Sequence, residues 1–245
     1  MSKIKELPWG TDAELREEQF FNRKIEIENL KSLLSTTSRT SPPTIMIPGI
    51  RGVGKTVLLK KLKKEMEEDY LVAYIDLTHT YSYQIGKLDE IGIMQHFFQV
   101  WMEACKKKKF NTLIQKIKKN LQTKTIKITN VAEYGGLPIP IAETAEDYQK
   151  LLNYVLELPQ KIYEEHQKDL KGVVMIIDEF QAFEDLGDHL DGFLWFFRSI
   201  IQNQKNVAYI FSGSITSKDK ILERISGKKG AFGGRMLTIE ISPFD

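Results

Sequence analysis

The sequence predicts an α/β protein built on a five-stranded parallel sheet flanked by crossover helices. Two observations carry that reading. Five short apolar runs have strand character, at residues 44–47, 71–77, 173–177, 207–211 and 236–241. Each is bounded by turn residues or followed by a helical pattern, as expected of buried parallel strands joined through helices.

The first 22 residues are polar, contain Pro8-Trp9-Gly10, and read as a lead-in. A helix is expected over about 23–34, with Ile27, Leu30 and either Leu33 or Leu34 on one side, followed by a Ser/Thr/Pro loop over 35–43. After the first strand, a helix over 54–68 turns Leu58, Leu59, Leu62 and Met66 inward. Between the second and third strands the chain is too long for one crossover, and 86–170 reads as a mostly helical insertion in a single 1–245 domain. Its first helix aligns Ile93 or Met94, Phe97, Trp101 and Ala104 or Cys105. A lysine-rich helix follows, then a hairpin or loop over 125–140 turning at Gly135-Gly136. The next helix, over 144–167, contains Pro159, which predicts a kink or a split. Before the fourth strand, 186–202 carries a 3.6-residue stripe of Leu190, Phe193, Leu194, Phe197, Ile200 and Ile201.

Composition narrows the class without naming a chemistry. With 42 % hydrophobic and 28 % charged residues in 245, the chain reads as globular. It has no apolar run of membrane-spanning length and no secretory signal. Cys105 is alone, which excludes a disulfide framework and points to a cytoplasmic home, and the four histidines lack zinc spacing. A net charge of +2 argues for no particular partner.

Gly49-Ile50-Arg51-Gly52-Val53-Gly54-Lys55-Thr56 fits G-x-x-x-x-G-K-[ST] at every position. A chance match in a chain of this length has a probability of roughly 1 %, and the context lowers it further, because the motif follows an apolar run and opens a Leu-rich helix. Glycines let successive N–H groups converge on phosphates, and the helix N-terminus faces the anion. Lys55 would meet the β- and γ-phosphates, Thr56 would offer its hydroxyl to Mg²⁺, and Val57 completes the set of expected nucleotide contacts. The alternative, a Gly-rich surface turn beside a lysine, does not explain the flanking pattern.

The third apolar run ends in Asp178-Glu179. Carboxylates at the end of a buried strand are expensive unless a cation or donor meets them. Asp178 is therefore the expected second Mg²⁺ ligand, and Glu179 the expected general base for an attacking water. An ordinary acidic turn is the alternative. No Asn-Lys-x-Asp guanine reader occurs, since Ser217-Lys218-Asp219-Lys220 does not match.

These motifs, with Phe211-Ser212-Gly213-Ser214 after them, resemble the archaeal-type P-loop ATPases on the AAA+ and STAND side of the superfamily. Phe21-Asn22-Arg23-Lys24-Ile25-Glu26 is similar to the F-x-x-R-x-x-E box that precedes their first strand, and Gly234-Arg235 with Pro243-Phe244 to their G-R…P-F ending. The resemblance covers most of the chain outside 86–170. It implies a sheet in the order 5-1-4-3-2, adenine as the base, and hydrolysis of ATP with Mg²⁺. It also implies a polar sensor at the end of strand 4, for which Ser212 and Ser214 are the candidates; a serine there could instead cap the next helix. Arg235 becomes a candidate arginine finger toward a neighbour in a homo-oligomer, or else a surface partner of an acid. Family members normally continue past the equivalent of Pro243-Phe244-Asp245 into a helical lid and often a further module. On that resemblance the lid residues are absent, turnover of the isolated domain is slow, and a protein or DNA partner would be met through the missing module.

From Ala104 to Ala132 there are nine lysines and no acidic residue. They could meet nucleic-acid phosphates. Equally they could be the solvated face of a helix whose stripe is Leu113, Ile114, Ile117 and Leu121. Three functions therefore stand: an ATPase switch or motor, a nucleotide-binding regulator with negligible turnover, and a DNA-associated protein.

Overall fold

The computed structural model describes residues 23–38, 43–122, 130–134, 137–141, 145–214 and 221–241. The lead-in, Phe21-Asn22, the Gly135-Gly136 turn, Ser217–Lys220 and Pro243-Phe244 lie outside them. In chain order the elements are α1 (Lys24–Ser35), β1 (Thr44–Gly49), α2 (Lys55–Met66), β2 (Tyr70–Asp76), α3 (Tyr81–Gln84), α4 (Glu90–Lys107), α5 (Asn111–Gln122), β3 (Asn130–Tyr134), β4 (Leu137–Ile141), α6 (Ala145–His166), β5 (Gly172–Asp178), α7 (Leu190–Ile201), β6 (Val207–Ser214), α8 (Ile221–Ser226) and β7 (Met236–Thr238). The central sheet runs β2-β5-β6-β1-β7, every pair parallel, which is the expected 5-1-4-3-2 order read from the other edge. β3 and β4 pair antiparallel as a separate hairpin.

Strand alternation sorts the sheet's two faces. Ile45, Ile47, Val72, Val174, Ile176, Ala208 and Ile210 pack with Ile27, Leu30 and Leu34 of α1 and with Leu58, Leu59, Leu62 and Met66 of α2. Met46, Ala73, Ile75, Met175, Ile177, Tyr209 and Phe211 pack with α4, α5, α6, α7 and α8 on the other side. Phe197 of α7 sits at the centre of that second layer, with Phe97, Phe193, Tyr209, Phe211 and Phe232 around its ring. The parity decides the site: Asp178, Ser212 and Ser214 continue the positions that face α1 and α2.

Several expected boundaries shift. Leu77 opens a 3₁₀ turn capped by the Asp76 carboxylate instead of ending β2. Thr36–Ser38 forms a 3₁₀ turn within the expected loop. The segment before α7 is a 3₁₀ stretch, Phe180–His189, bent at Gly187 where φ is 55°. β6 continues past Phe211 to Ser214, because it stays in register with β1 as far as Gly49. β7 closes at Thr238, although the Ile239 N–H still donates to the Met46 carbonyl at 2.8 Å.

α6 corrects the expectation of a split helix. It runs as one helix through Pro159. Proline has no N–H to give the carbonyl four residues back, so a helix interior with proline needs outside support. The carbonyl left without its donor is that of Val155; the turn before β6 engages the helix at the adjoining residues 156 and 160. The buried Gln204 donates from Nε2 to the Leu156 carbonyl at 2.6 Å, and the Lys205 N–H donates to Gln160 Oε1 at 2.8 Å. Gln204 Oε1 accepts in turn from the buried Tyr209 hydroxyl at 2.8 Å. Gln204→Ala would leave Tyr209 and the Leu156 carbonyl short of partners, with an expected loss of about 2 kcal/mol, read as a lowered urea midpoint at unchanged m-value.

Candidate functional site

The phosphate-loop sequence lies between the end of β1 and the start of α2. Gly52 and Gly54 have φ of 88° and 86°, a left-handed geometry that glycine adopts without penalty. Gly54 caps α2, so the free N–H groups of that helix's first turn face the loop. Val53 is buried against α1 and α2, while Ile50 is 58 % exposed and Arg51 is exposed at the outer curve. Lys55 is nearly buried. Its Nζ donates to the carbonyls of Gly49 and Ile50, both at 2.9 Å, and lies 3.4 Å from Ser214 Oγ. Burial draws its pKa below that of an ordinary lysine, and the nearby carboxylates of Glu179 and Asp178 draw it part of the way back. Val57 is half-buried on α2, against the same core.

Thr56 and Asp178 meet although 122 positions separate them: the Thr56 hydroxyl donates to Asp178 Oδ2 at 2.8 Å. Asp178 has no solvent exposure. The Tyr74 hydroxyl of β2 donates to the same oxygen at 2.8 Å, and the Glu179 N–H donates to Oδ1 at 3.0 Å. A buried carboxylate and an adjacent hydroxyl at the head of α2 are hard oxygen donors of the kind Mg²⁺ uses beside a bound polyphosphate, so the residues fit that cation.

Glu179 is left-handed, with φ 53° and ψ 43°. Such a backbone in a non-glycine residue costs of order 1–3 kcal/mol and persists where its surroundings over-determine it. The chain there must leave a buried strand at once and enter a 3₁₀ turn, which the Ala182 N–H closes on the Glu179 carbonyl at 3.0 Å. The Gln181 amide donates to Glu179 Oε2. A Cβ on Gly213 of β6 would lie 2.3 Å from Gln181 Oε1 and 2.8 Å from the Phe180 ring, so a side chain at that position would force Gln181 and Phe180 to shift.

The two serines differ. Ser214, level with Gly49 in the sheet, is the one near Lys55. Ser212 is fully buried, and its Oγ has no hydrogen-bond partner among the described residues. Arg235 is exposed just before β7, 3.5 Å from Gln202 Oε1. Met236 pairs with Thr44, so Arg235 sits at the end of the sheet opposite its own phosphate loop.

Three neighbours escaped the sequence reading: Arg23, Tyr74 and Gln181. Arg23, almost fully buried, donates from Nη2 to the Val53 carbonyl at 3.0 Å and from Nη1 to Glu26 at 2.8 Å. The R-x-x-E spacing in the box before β1 was its signal. The lysine-rich stretch is tied to the core in part. Lys107 and Lys116 pair with Glu67 and Glu165, Lys108 donates to the Glu68 carbonyl, and Leu113, Ile114, Ile117 and Leu121 are buried. That is the solvated-face arrangement.

A profile for an ATPase domain found predominantly in Archaea matches residues 20–245. The chain belongs to that family. An uncharacterized ATP-binding protein of Methanocaldococcus jannaschii is 28 % identical over 217 residues, covering 84 % of this chain and 55 % of the relative. One from Pyrococcus abyssi is 26 % identical over 212 residues, covering 84 % and 56 %. The chain thus spans about half the length of the curated relatives it matches. A Walker-type ATPase of Pyrococcus abyssi superposes with a TM-score of 0.58 at 19 % identity, covering 94 % of this chain and 56 % of that one. Drosophila ORC bound to DNA superposes with 0.54 at 15 %, covering 94 % and 45 %. These superpositions show a shared fold, and the family with its ATP-binding members supports ATP binding by this domain. Among the described residues no helix is long and apolar enough to cross a membrane.

Arg23→Ala would free the Val53 carbonyl and leave Glu26 without its guanidinium. The expected result is a loss of about 2 kcal/mol in stability and weaker ATP binding through a looser loop, read by thermal unfolding and calorimetry on the same variant.

Proposed function

We propose that this ATPase-family domain hydrolyses ATP with Mg²⁺ and passes the change of nucleotide state to a further module. The observation that carries the reading is the meeting of Lys55, Thr56, Asp178 and Glu179 at the carboxyl ends of β1 and β5, where ligands lie in open α/β sheets. In it, the loop from Gly49 to Thr56 wraps the phosphates with its N–H groups and Lys55 neutralises the β- and γ-oxygens. Thr56 and Asp178 would hold Mg²⁺, which when bound screens the phosphate charge. Glu179 takes a proton from the water that attacks the γ-phosphorus, and Ser214, with its hydroxyl near Lys55, is the better-placed sensor.

The greater length of the curated relatives supports coupling to a further module. Arg235 acts in this reading only on a neighbour in an oligomer, which its exposure and distance from its own loop suit. A cytoplasmic location is supported by the single cysteine of the sequence, Cys105, a buried free thiol.

A second reading, a switch that holds nucleotide and hardly turns it over, is favoured by the Gln181 amide already engaging Glu179.

Lys55→Ala should weaken ATP binding at least about tenfold, or about 1.4 kcal/mol, in calorimetric titrations with Mg-ATP, Mg-ADP and Mg-GTP. Undiminished affinity would remove the loop from the site. Glu179→Gln should keep ATP binding and lower phosphate release by about 100-fold or more. A wild type that binds tightly yet releases phosphate no faster than the Glu179→Gln variant would establish the switch instead.

A further inference from the structure

Three donors meet Asp178: the Thr56 hydroxyl, the Tyr74 hydroxyl and the Glu179 N–H. Thr56 and Glu179 belong to the two motifs read from the sequence. The third donor, Tyr74, belongs to neither and comes from the edge strand β2. Tyr74 is level with Ile176 in the sheet, not with Asp178, so its ring leans two residues forward along the shared face to reach the carboxylate, a diagonal contact that only a long side chain makes. The residue level with Asp178 is Asp76. Two carboxylates abreast on neighbouring strands repel, and Asp76 is turned elsewhere. Its Oδ1 accepts from the N–H and hydroxyl of Thr78 at 3.0 and 2.7 Å, and Oδ2 lies 3.5 Å from His79 Nδ1. Of the two level carboxylates, the Tyr74 hydroxyl bonds to Asp178, at 2.8 Å.

We infer that Tyr74 is a positioning residue for the divalent cation: with Thr56 it pins Oδ2 of Asp178, fixes the rotation of the carboxylate, and so sets the Mg²⁺ requirement of nucleotide binding. The inference rests on the metal-dependent reading of the site. The chemistry favours it in two ways. A hydroxyl donor stabilises the carboxylate without adding positive charge that would compete with the cation. Thr56 has one hydrogen to give and two lone pairs, so it can donate to Asp178 while facing a cation, but it cannot alone stop the carboxylate from turning. Hydrogen-bond partners of metal-binding carboxylates typically contribute 10–100-fold in metal affinity.

The test compares wild type, Tyr74→Phe and Asp178→Asn by calorimetric titration of ATP in EDTA and across a Mg²⁺ series. Mn²⁺ binding followed by electron paramagnetic resonance gives a second readout. Tyr74→Phe should bind ATP like the wild type in EDTA and need about tenfold more Mg²⁺ or Mn²⁺. Asp178→Asn should show little dependence on either ion. A Tyr74→Phe protein with wild-type cation dependence beside an Asp178→Asn protein that has lost it would overturn the inference and leave the metal reading standing. An Asp178→Asn protein with full cation dependence would overturn both. Thermal unfolding without metal or nucleotide completes the separation: a lower Tm for Tyr74→Phe with unchanged cation dependence would make Tyr74 a stability residue only.

Discussion

Everything at this site is arranged around one buried carboxyl group. Asp178 has no solvent exposure, and an ionised carboxylate withdrawn from water is tolerated only when donors surround it. Here they arrive from three directions: α2 through Thr56, β2 through Tyr74, and the chain's own next N–H. Each donor fixes an element. α2 lies against the sheet with its first turn at the end of β5, β2 is in register with β5, and the backbone turns at once after Asp178, with Glu179 in a left-handed conformation. The phosphate loop inherits its place from the same demand, since it leads directly into α2.

The loop itself is held from behind as well as in front. Lys55 folds onto the carbonyls of Gly49 and Ile50, while Arg23 reaches from the start of α1 to the carbonyl of Val53. One cation faces the side where phosphate would enter and the other braces the buried side. The two glycines that permit the curve leave the loop without intrinsic stiffness. That stiffness comes from these charge-assisted hydrogen bonds and from Val53 seated in the core.

The sheet and the motif were legible in the sequence because both are local signals. Apolar runs of strand length and the spacing of glycines, Lys55 and Thr56 need no knowledge of the rest of the chain, and the sheet order followed from the family resemblance. What escaped depends on contacts between distant residues. Tyr74 reads as one more apolar strand position; only the parity of β2 against β5 shows that its hydroxyl reaches Asp178. Gln181 and Gly213 are ordinary until β6 is seen to cross the turn after β5. Pro159 predicts a kink or a split, and of these the split does not occur: α6 is continuous, with support on either side of the proline from Gln204 and Lys205, more than forty residues on.

That support has a mechanical side. The turn that binds α6 leads straight into β6, and Tyr209 ties the start of the strand to the same network. β6 is therefore a beam clamped at one end. At its other end stand Gly213, pressed against Gln181, and Ser214, beside Lys55. The strand thereby joins the turn that holds α6 to the end of the sheet where Lys55, the Gln181 amide and the left-handed Glu179 stand.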